Sequence, residues 1–219
     1  MLRTILAAGI AGALWVAASP GAAQQDRLTL AYDIILSGAT KMGNIRMEIY
    51  PDADAGVLVV EGEQHISILG RKVDITWTEK WRDDRLVAYD GKSDINKLNR
   101  KANYTISLRE NGEYSVLTVN GTAQRVPADI APRSFWRKGN VVGRTVFFDI
   151  DDGKVSEEAP FLDGEREIEF KGKDRKTEFW KIRGEKSRDF WFLDANDVLV
   201  KYQRPRGPTW YTYELTSIE

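Results

Sequence analysis

The chain has no cysteine, one histidine and three methionines in 219 residues. The absence of thiols excludes disulfides, iron–sulfur clusters, thiolate zinc sites and cysteine nucleophiles. One histidine is too few for an ordinary zinc centre. An excess of one charge is also missing. The 32 basic residues meet 33 acidic ones, with no long run of either sign. A near-neutral chain lacks the field expected of a nucleic-acid binder. No long segment carries a helical apolar period. There is no Gly-x-Ser-x-Gly elbow and no His-Glu-x-x-His pair.

Long apolar runs are equally scarce, and the single one lies at the start. Arg3 supplies a positive end, Ile5 to Val16 carry no charge, and Ser19-Pro20-Gly21-Ala22-Ala23 breaks the run with small residues. That order is a secretory signal peptide. The run is too short for a stable anchor, and no cysteine follows for lipid attachment. The expectation is cleavage after Ala23, export to a periplasm, and no membrane span in the mature chain. Residues 24–219 then form a single β domain, long enough to bury a core without staples.

What the chain has in quantity is period two. Leu28, Leu30, Tyr32, Ile34 and Leu36 alternate with polar or small residues, as do Ile45, Met47 and Ile49. Val57 to Val60 and Ile66 to Leu69 make a third strand. Gly70-Arg71 turns into a fourth, in which Val73, Ile75, Trp77, Glu79 and Trp81 share one face. Asn111-Gly112, Asn120-Gly121, Asp151-Asp152-Gly153 and Asp194 to Asp197 have turn chemistry. Strands follow one another to Leu215. The interruption is at about 126–141, where Pro127, Pro132 and Gly139 surround Ile130, Phe135 and Trp136. It reads as a loop with one short helical turn near Ala128. A dozen short strands in order predict an all-β fold: one large antiparallel sheet that must curl. A strongly bent half-barrel or open barrel, plugged by the Pro-rich loop, is favoured over a closed barrel or a sandwich.

Candidate sites are weighed against plainer roles. His65 reads as an ordinary strand histidine, because catalysis would need an orienting acid and a nucleophile. Asp149, Asp151 and Asp152 have part of a calcium loop's spacing, but Gly153 stands where a ligand is needed, so a hairpin turn is favoured. Glu79, Asp83, Glu157, Glu158 and Glu178 offer carboxylates for a glycosidase-like pair, whose separation the sequence does not fix. Glu79 stands out as a polar group between Trp77 and Trp81. The plainer reading is a structural hydrogen bond or ion pair. The tryptophans carry the remaining hypothesis. Trp77, Trp81, Trp180, Trp191 and Trp210 lie in strands, and Trp136 follows Phe135 in the interrupting loop. They line an apolar cleft or fill the core.

Some of these segments resemble a known family. Tyr32-Asp33-Ile34 with Gly38 and Met42-Gly43, Glu79-Lys80-Trp81-Arg82-Asp83-Asp84-Arg85-Leu86, Asn120-Gly121, Pro132-Arg133-Ser134-Phe135-Trp136 and Asp197 to Tyr202 resemble the domain-of-unknown-function family 6134, exported bacterial β proteins. The resemblance covers nearly all of the chain beyond the leader. It implies no activity. Its general look is similar to the bent-sheet carriers of periplasmic lipoproteins.

The functional expectation is a non-catalytic periplasmic protein. It would bind an apolar ligand, a lipid, or a partner's lipidated or extended segment on the concave face. Trp77, Trp81, Phe135, Trp136, Trp180, Trp191 and Trp210 would line the site, and Phe135 with Trp136 would gate it. No cofactor, metal or catalytic residue is expected. The alternatives are an envelope scaffold or assembly factor with a filled core, and, third, a hydrolase using a Glu/Asp pair.

Overall fold

The computed structural model describes residues 27–37, 40–68, 70–97, 100–183, 187–206 and 208–219. The leader expected over residues 1–23, Gly38, Leu69 and Gly207 lie outside them. The strands in the first part of the chain are β1 (Leu28–Leu36), β2 (Thr40–Asp52), β3 (Val57–Ile68), β4 (Arg71–Arg82), β5 (Arg85–Lys97), β6 (Arg100–Asn111), β7 (Tyr114–Val119) and β8 (Thr122–Pro127). Three short strands follow: β9 (Ala131–Pro132), β10 (Val146–Phe148) and β11 (Val155–Glu157). The last five are β12 (Phe161–Phe170), β13 (Lys173–Ile182), β14 (Arg188–Leu193), β15 (Leu199–Arg206) and β16 (Thr209–Ile218).

Thirteen strands form one antiparallel sheet in the order β12-β13-β14-β15-β16-β1-β2-β3-β4-β5-β6-β7-β8, and β9 to β11 form a small second sheet. The large sheet is not closed: β8 and β12 are its two edges. It is a meander with one rearrangement. The last strand pairs with the first, Tyr32 opposite Leu215 and Ile34 opposite Tyr213. The chain must therefore travel from one edge to the other, and residues 128–160 make that crossing.

Side-chain alternation explains the strands. In β4, Val73, Ile75, Trp77, Glu79 and Trp81 are all buried, and the residues between them are not. The register then sets rows across the concave face. Tyr32, Ile45, Gln64 and Ile75 form one row, and Ile49, Val60, Glu79 and Tyr89 another. Register shifts in β1, at Lys80/Trp81, and at Trp191/Phe192 bend the strands locally, which is how a wide sheet acquires curvature. The opposite face carries ion pairs such as Lys41–Asp33 at 2.7 Å and His65–Asp74 at 2.9 Å. Exposed pairs of this kind contribute little to stability.

The crossing segment is the main departure from the expected loop. It runs well past residue 141. It also has no helical turn near Ala128; Ala131–Pro132 is extended and pairs in parallel with β10. The one described helical turn is a 3-10 turn at Lys138–Asn140. Proline at 132 disfavours helix at the residue before it, so the short helix waits until the chain has passed Phe135 and Trp136.

Two glycines make the tryptophan rows possible. A Cβ on Gly62 would stand 2.2 Å from the Trp77 ring, and one on Gly91 would stand 2.6 Å from the Tyr89 hydroxyl. The large rings lie across strand positions that have no side chain. Overpacking of a filled core typically costs about 1–3 kcal/mol, so Gly62→Ala should lower the unfolding free energy by about that amount in a urea melt. An unchanged midpoint would show that Trp77 has room to move.

Candidate functional site

The crossing segment lies in the trough of the sheet. Ile130, Phe135, Trp136, Phe147 and Phe148 are all buried and belong to one cluster with residues from both flanks of the sheet. Phe135 is central. Its ring meets Phe190 at 5.1 Å and Phe147 at 6.0 Å in edge-on contacts, and Tyr202 at 5.4 Å. Its φ is 35°, in the left-handed region, which disfavours a bulky residue by about 1–2 kcal/mol. The ring contacts hold it there. Backbone bonds fix the next residues: Leu199 N–H donates to the Trp136 carbonyl at 3.0 Å and Lys138 N–H to Asp197 at 2.8 Å.

A buried charge network ties the segment down. Arg133 donates to Asp149, Ser156 Oγ and Glu158 Oε1, all within the segment. Glu158 also accepts from Arg188 Nη1 of β14 at each carboxylate oxygen, both at 2.7 Å. Arg188 Nε donates to the Tyr202 hydroxyl at 3.1 Å. The Arg133, Arg188 and Glu158 side chains are all under a tenth exposed. Removing one member of such a set leaves a buried charge uncompensated, which typically costs about 3–5 kcal/mol.

A second polar contact joins the segment to β4. Trp81 Nε1 donates to Glu79 Oε2 at 2.7 Å, and Trp136 Nε1 reaches the same oxygen at 3.4 Å. Ser134 and Trp77 lie near enough to favour the ionised carboxyl, yet neither side chain meets hydrogen-bond geometry and Oε1 has no partner. Arg137 lies over the Trp81 and Trp136 rings at 5.2 and 4.8 Å. Glu79 is fully buried, and burial raises its pKa against the opposing pull of the surrounding donors.

The segment does not fill the whole trough. A partly enclosed cavity of about 70 Å³ remains between it and the concave face of β1 to β4, β15 and β16. Its apolar wall includes Ile45, Met47, Ile66, Val73, Ile75 and Trp77, with Phe135 and Ile150 on the segment's side. Polar groups also line it: Tyr32, Gln64, Arg71, Arg133, Ser134, Asp149, Asp151 and Arg204. One water needs about 10–15 Å³ and a drug-sized site about 300–1,000 Å³. The observed space therefore suits a short guest or part of a longer one.

The structure brings two of the tryptophan-set residues, Trp77 and Phe135, to this cavity. Trp81 and Trp136 meet at Glu79, which does not line it. Trp180 donates to Glu178 at 2.8 Å. Trp191 pairs with Phe179 at 4.6 Å, on the face opposite Phe190. Trp210 is 44% exposed at the β15–β16 hairpin. Of the five carboxylates, Glu79 is held by Trp81, Glu158 by two arginines and Glu178 by Lys138, Asp83 sits in a turn with φ 53°, and Glu157 ends β11 exposed.

Asp149, Asp151 and Asp152 gather ligand atoms within 4.8 Å of one another. Asp149 is bound by Arg133 and Asp152 caps the Lys154 N–H at 2.9 Å. Gly153 has φ 73° and closes the turn onto Asp149, which is the hairpin geometry. Sequence reasoning passed over Arg71, Arg133, Arg188 and Arg204. Inward-facing position in a strand was the one available signal for Arg71, Arg188 and Arg204, since each shares parity with buried neighbours.

Glu79 gives a pH signature. Its raised folded-state pKa means that folding takes up a proton. That contribution is complete below the unfolded pKa of about 4.3 and is lost as pH rises through the folded value. Glu79→Gln keeps an acceptor for Trp81 but removes the titration. Urea unfolding from acid to neutral pH should show a shallower decline for the variant above about pH 4. Parallel profiles for variant and wild type would contradict this.

Among solved structures, the chain is similar to LprF from Mycobacterium bovis, with 8% identity over 87% of this chain and 84% of that one. The TM-score is 0.29, and a likeness at that level carries no argument. No curated protein matches the sequence. The family model for a domain of unknown function, DUF6134, matches residues 32–216, from β1 through the crossing segment to β16, and the chain belongs to that family.

Proposed function

We propose that this protein binds a small apolar ligand, or the end of a longer one, in the cleft between the central strands and the crossing segment. The carrying observation is the cavity itself: space remains in an otherwise packed trough, walled by Ile45, Ile66, Val73, Ile75 and Trp77 and covered by Phe135. Burial of apolar surface supplies the binding free energy. The reading differs from an open carrier. The segment occupies most of the concave face, so a long chain needs Phe135 and its neighbours to shift. The left-handed backbone at Phe135 marks where that shift would start. Export to a periplasm belongs to the same proposal and rests on Arg3, the run Ile5 to Val16 and Ala22-Ala23. Among the described residues, no helix is long and apolar enough to cross a membrane.

Trp77 lines the cavity and reports on it. Titration with straight-chain alcohols of increasing length should give a saturable fluorescence change. Ile45→Phe, which narrows the cavity, should weaken that response while the melting temperature stays within a few degrees. A flat wild-type response across the whole series would overturn the proposal.

One further observation favours a scaffold role. The edge strand β12 has only β13 beside it, and its Phe161 and Leu162 are 42% and 53% exposed. An open edge with apolar side chains is suited to adding an extended partner strand. On that reading, light scattering should detect association that Leu162→Lys abolishes.

A further inference from the structure

The cavity has a polar rim whose composition points to one class of ligand. The rim lies where β3 turns into β4 and β15 into β16. Arg71 opens β4 and has the same parity as Val73; Arg204 of β15 has the same parity as Tyr202. Both arginines are therefore on the concave side, and both line the cavity. Registers across Tyr211, Leu36 and Thr40 bring Arg204 to the end of the sheet that also bears Ile68 and Arg71.

Among the described residues neither guanidinium has a carboxylate within ion-pair distance, although Asp151 and Asp149 lie near enough to Arg204 to favour its charge. Arg204 instead lies over the Tyr211 and Tyr213 rings, at 5.2 and 5.8 Å. Its Nε and that of Arg71 are buried without a hydrogen-bond partner among the described residues. Arg133 Nε shares that condition, and Arg133 lines the same cavity; Trp77 Nε1 and Ser134 Oγ also lack hydrogen-bond geometry but lie beside the Glu79 carboxyl. Every one of these atoms can donate. A buried donor left without an acceptor costs about 1–3 kcal/mol. Arg133 is already held by Asp149 and Glu158, which leaves Arg71 and Arg204 as the lining cations outside that network. Burial raises the pKa of Asp151, aided by Asp149 and Asp152, while the nearby Arg204 guanidinium pulls it the other way.

We infer that the ligand is an anionic amphiphile. Its carboxylate or phosphate head would accept from Arg71 and Arg204, and its short apolar part would lie against Ile66, Val73 and Phe135. The inference rests on the ligand-binding reading above and specifies its chemistry.

The test compares octanoate, octyl phosphate and octanol by calorimetry and Trp77 fluorescence, on wild type and on Arg71→Gln and Arg204→Gln. Hydrogen bonds to charged groups contribute about 1.5–3 kcal/mol, so the anions should bind about tenfold or more tightly than octanol. Each substitution should reduce anion affinity by about tenfold and leave octanol nearly unchanged. Octanoate against octyl phosphate tells a carboxylate site from a phosphate site. If octanol matches the anions, or if both variants keep wild-type selectivity, the anion assignment fails and the apolar cleft stands. If no probe binds, the ligand-binding reading fails with it. Should a glutamine variant not fold, wild-type selectivity and its loss with added salt decide the question, because a head group held by arginines must weaken as ionic strength rises.

Discussion

The docking of one connection into the trough of the sheet is the constraint on which the rest depends. Because β16 pairs with β1, the chain cannot reach its last five strands without crossing from β8 to β12. A crossing over the convex side would leave the concave apolar rows in water. The segment from residue 128 to 160 lies on those rows instead. Its buried polar side chains need partners. Arg133, Asp149, Ser156 and Glu158 form bonds inside the segment, and Arg188 and Tyr202 anchor it to β14 and β15. Glu79, with Trp81 and Trp136, makes a corresponding junction to β4.

A fully satisfied buried network favours one arrangement over near alternatives, because each partner lost leaves a costly charge or dipole behind. The two junctions are satisfied to different degrees. The Arg133–Glu158–Arg188 group holds its carboxylate from both sides. The Glu79 group leaves Oε1 unpaired, and the adjoining cavity contains the greatest concentration of unpartnered donors. Arg133 Nε is itself unpartnered and Arg133 lines the cavity, so a donor stays open to a further acceptor beside the segment's firmest anchor. Positive φ at Phe135 falls between the two junctions.

Local chemistry was legible in the sequence and long-range closure was not. The alternation in β4 put Trp77, Glu79 and Trp81 on one face, and the structure buries all three. Asn120-Gly121 and Gly112 adopt the positive φ their turns require. The large curved antiparallel sheet followed from the same patterns, and the family from the resemblance of particular segments such as Pro132 to Trp136. The pairing of β1 with β16 leaves no local mark, since both strands alternate like any other. Gly62 and Gly91 look like weak strand residues until Trp77 and Tyr89 are seen lying over them. The buried arginines were missed because arginine in a strand normally signals the solvent face. Tryptophan count misled in another way: Trp180 lies opposite Phe190, Trp191 pairs with Phe179 and Trp210 is at the hairpin, so none of the three lines the cavity.

The central claim is that an acceptor-headed apolar molecule occupies the space between the crossing segment and the central strands. The most direct measurement is a crystal structure of the protein grown with octanoate. The account predicts electron density in the cavity beside Trp77 and Phe135, with the carboxylate within hydrogen-bond distance of Arg71 or Arg204. A cavity holding water alone, or octanoate bound at the exposed Phe161 and Leu162 of β12 instead, would contradict it.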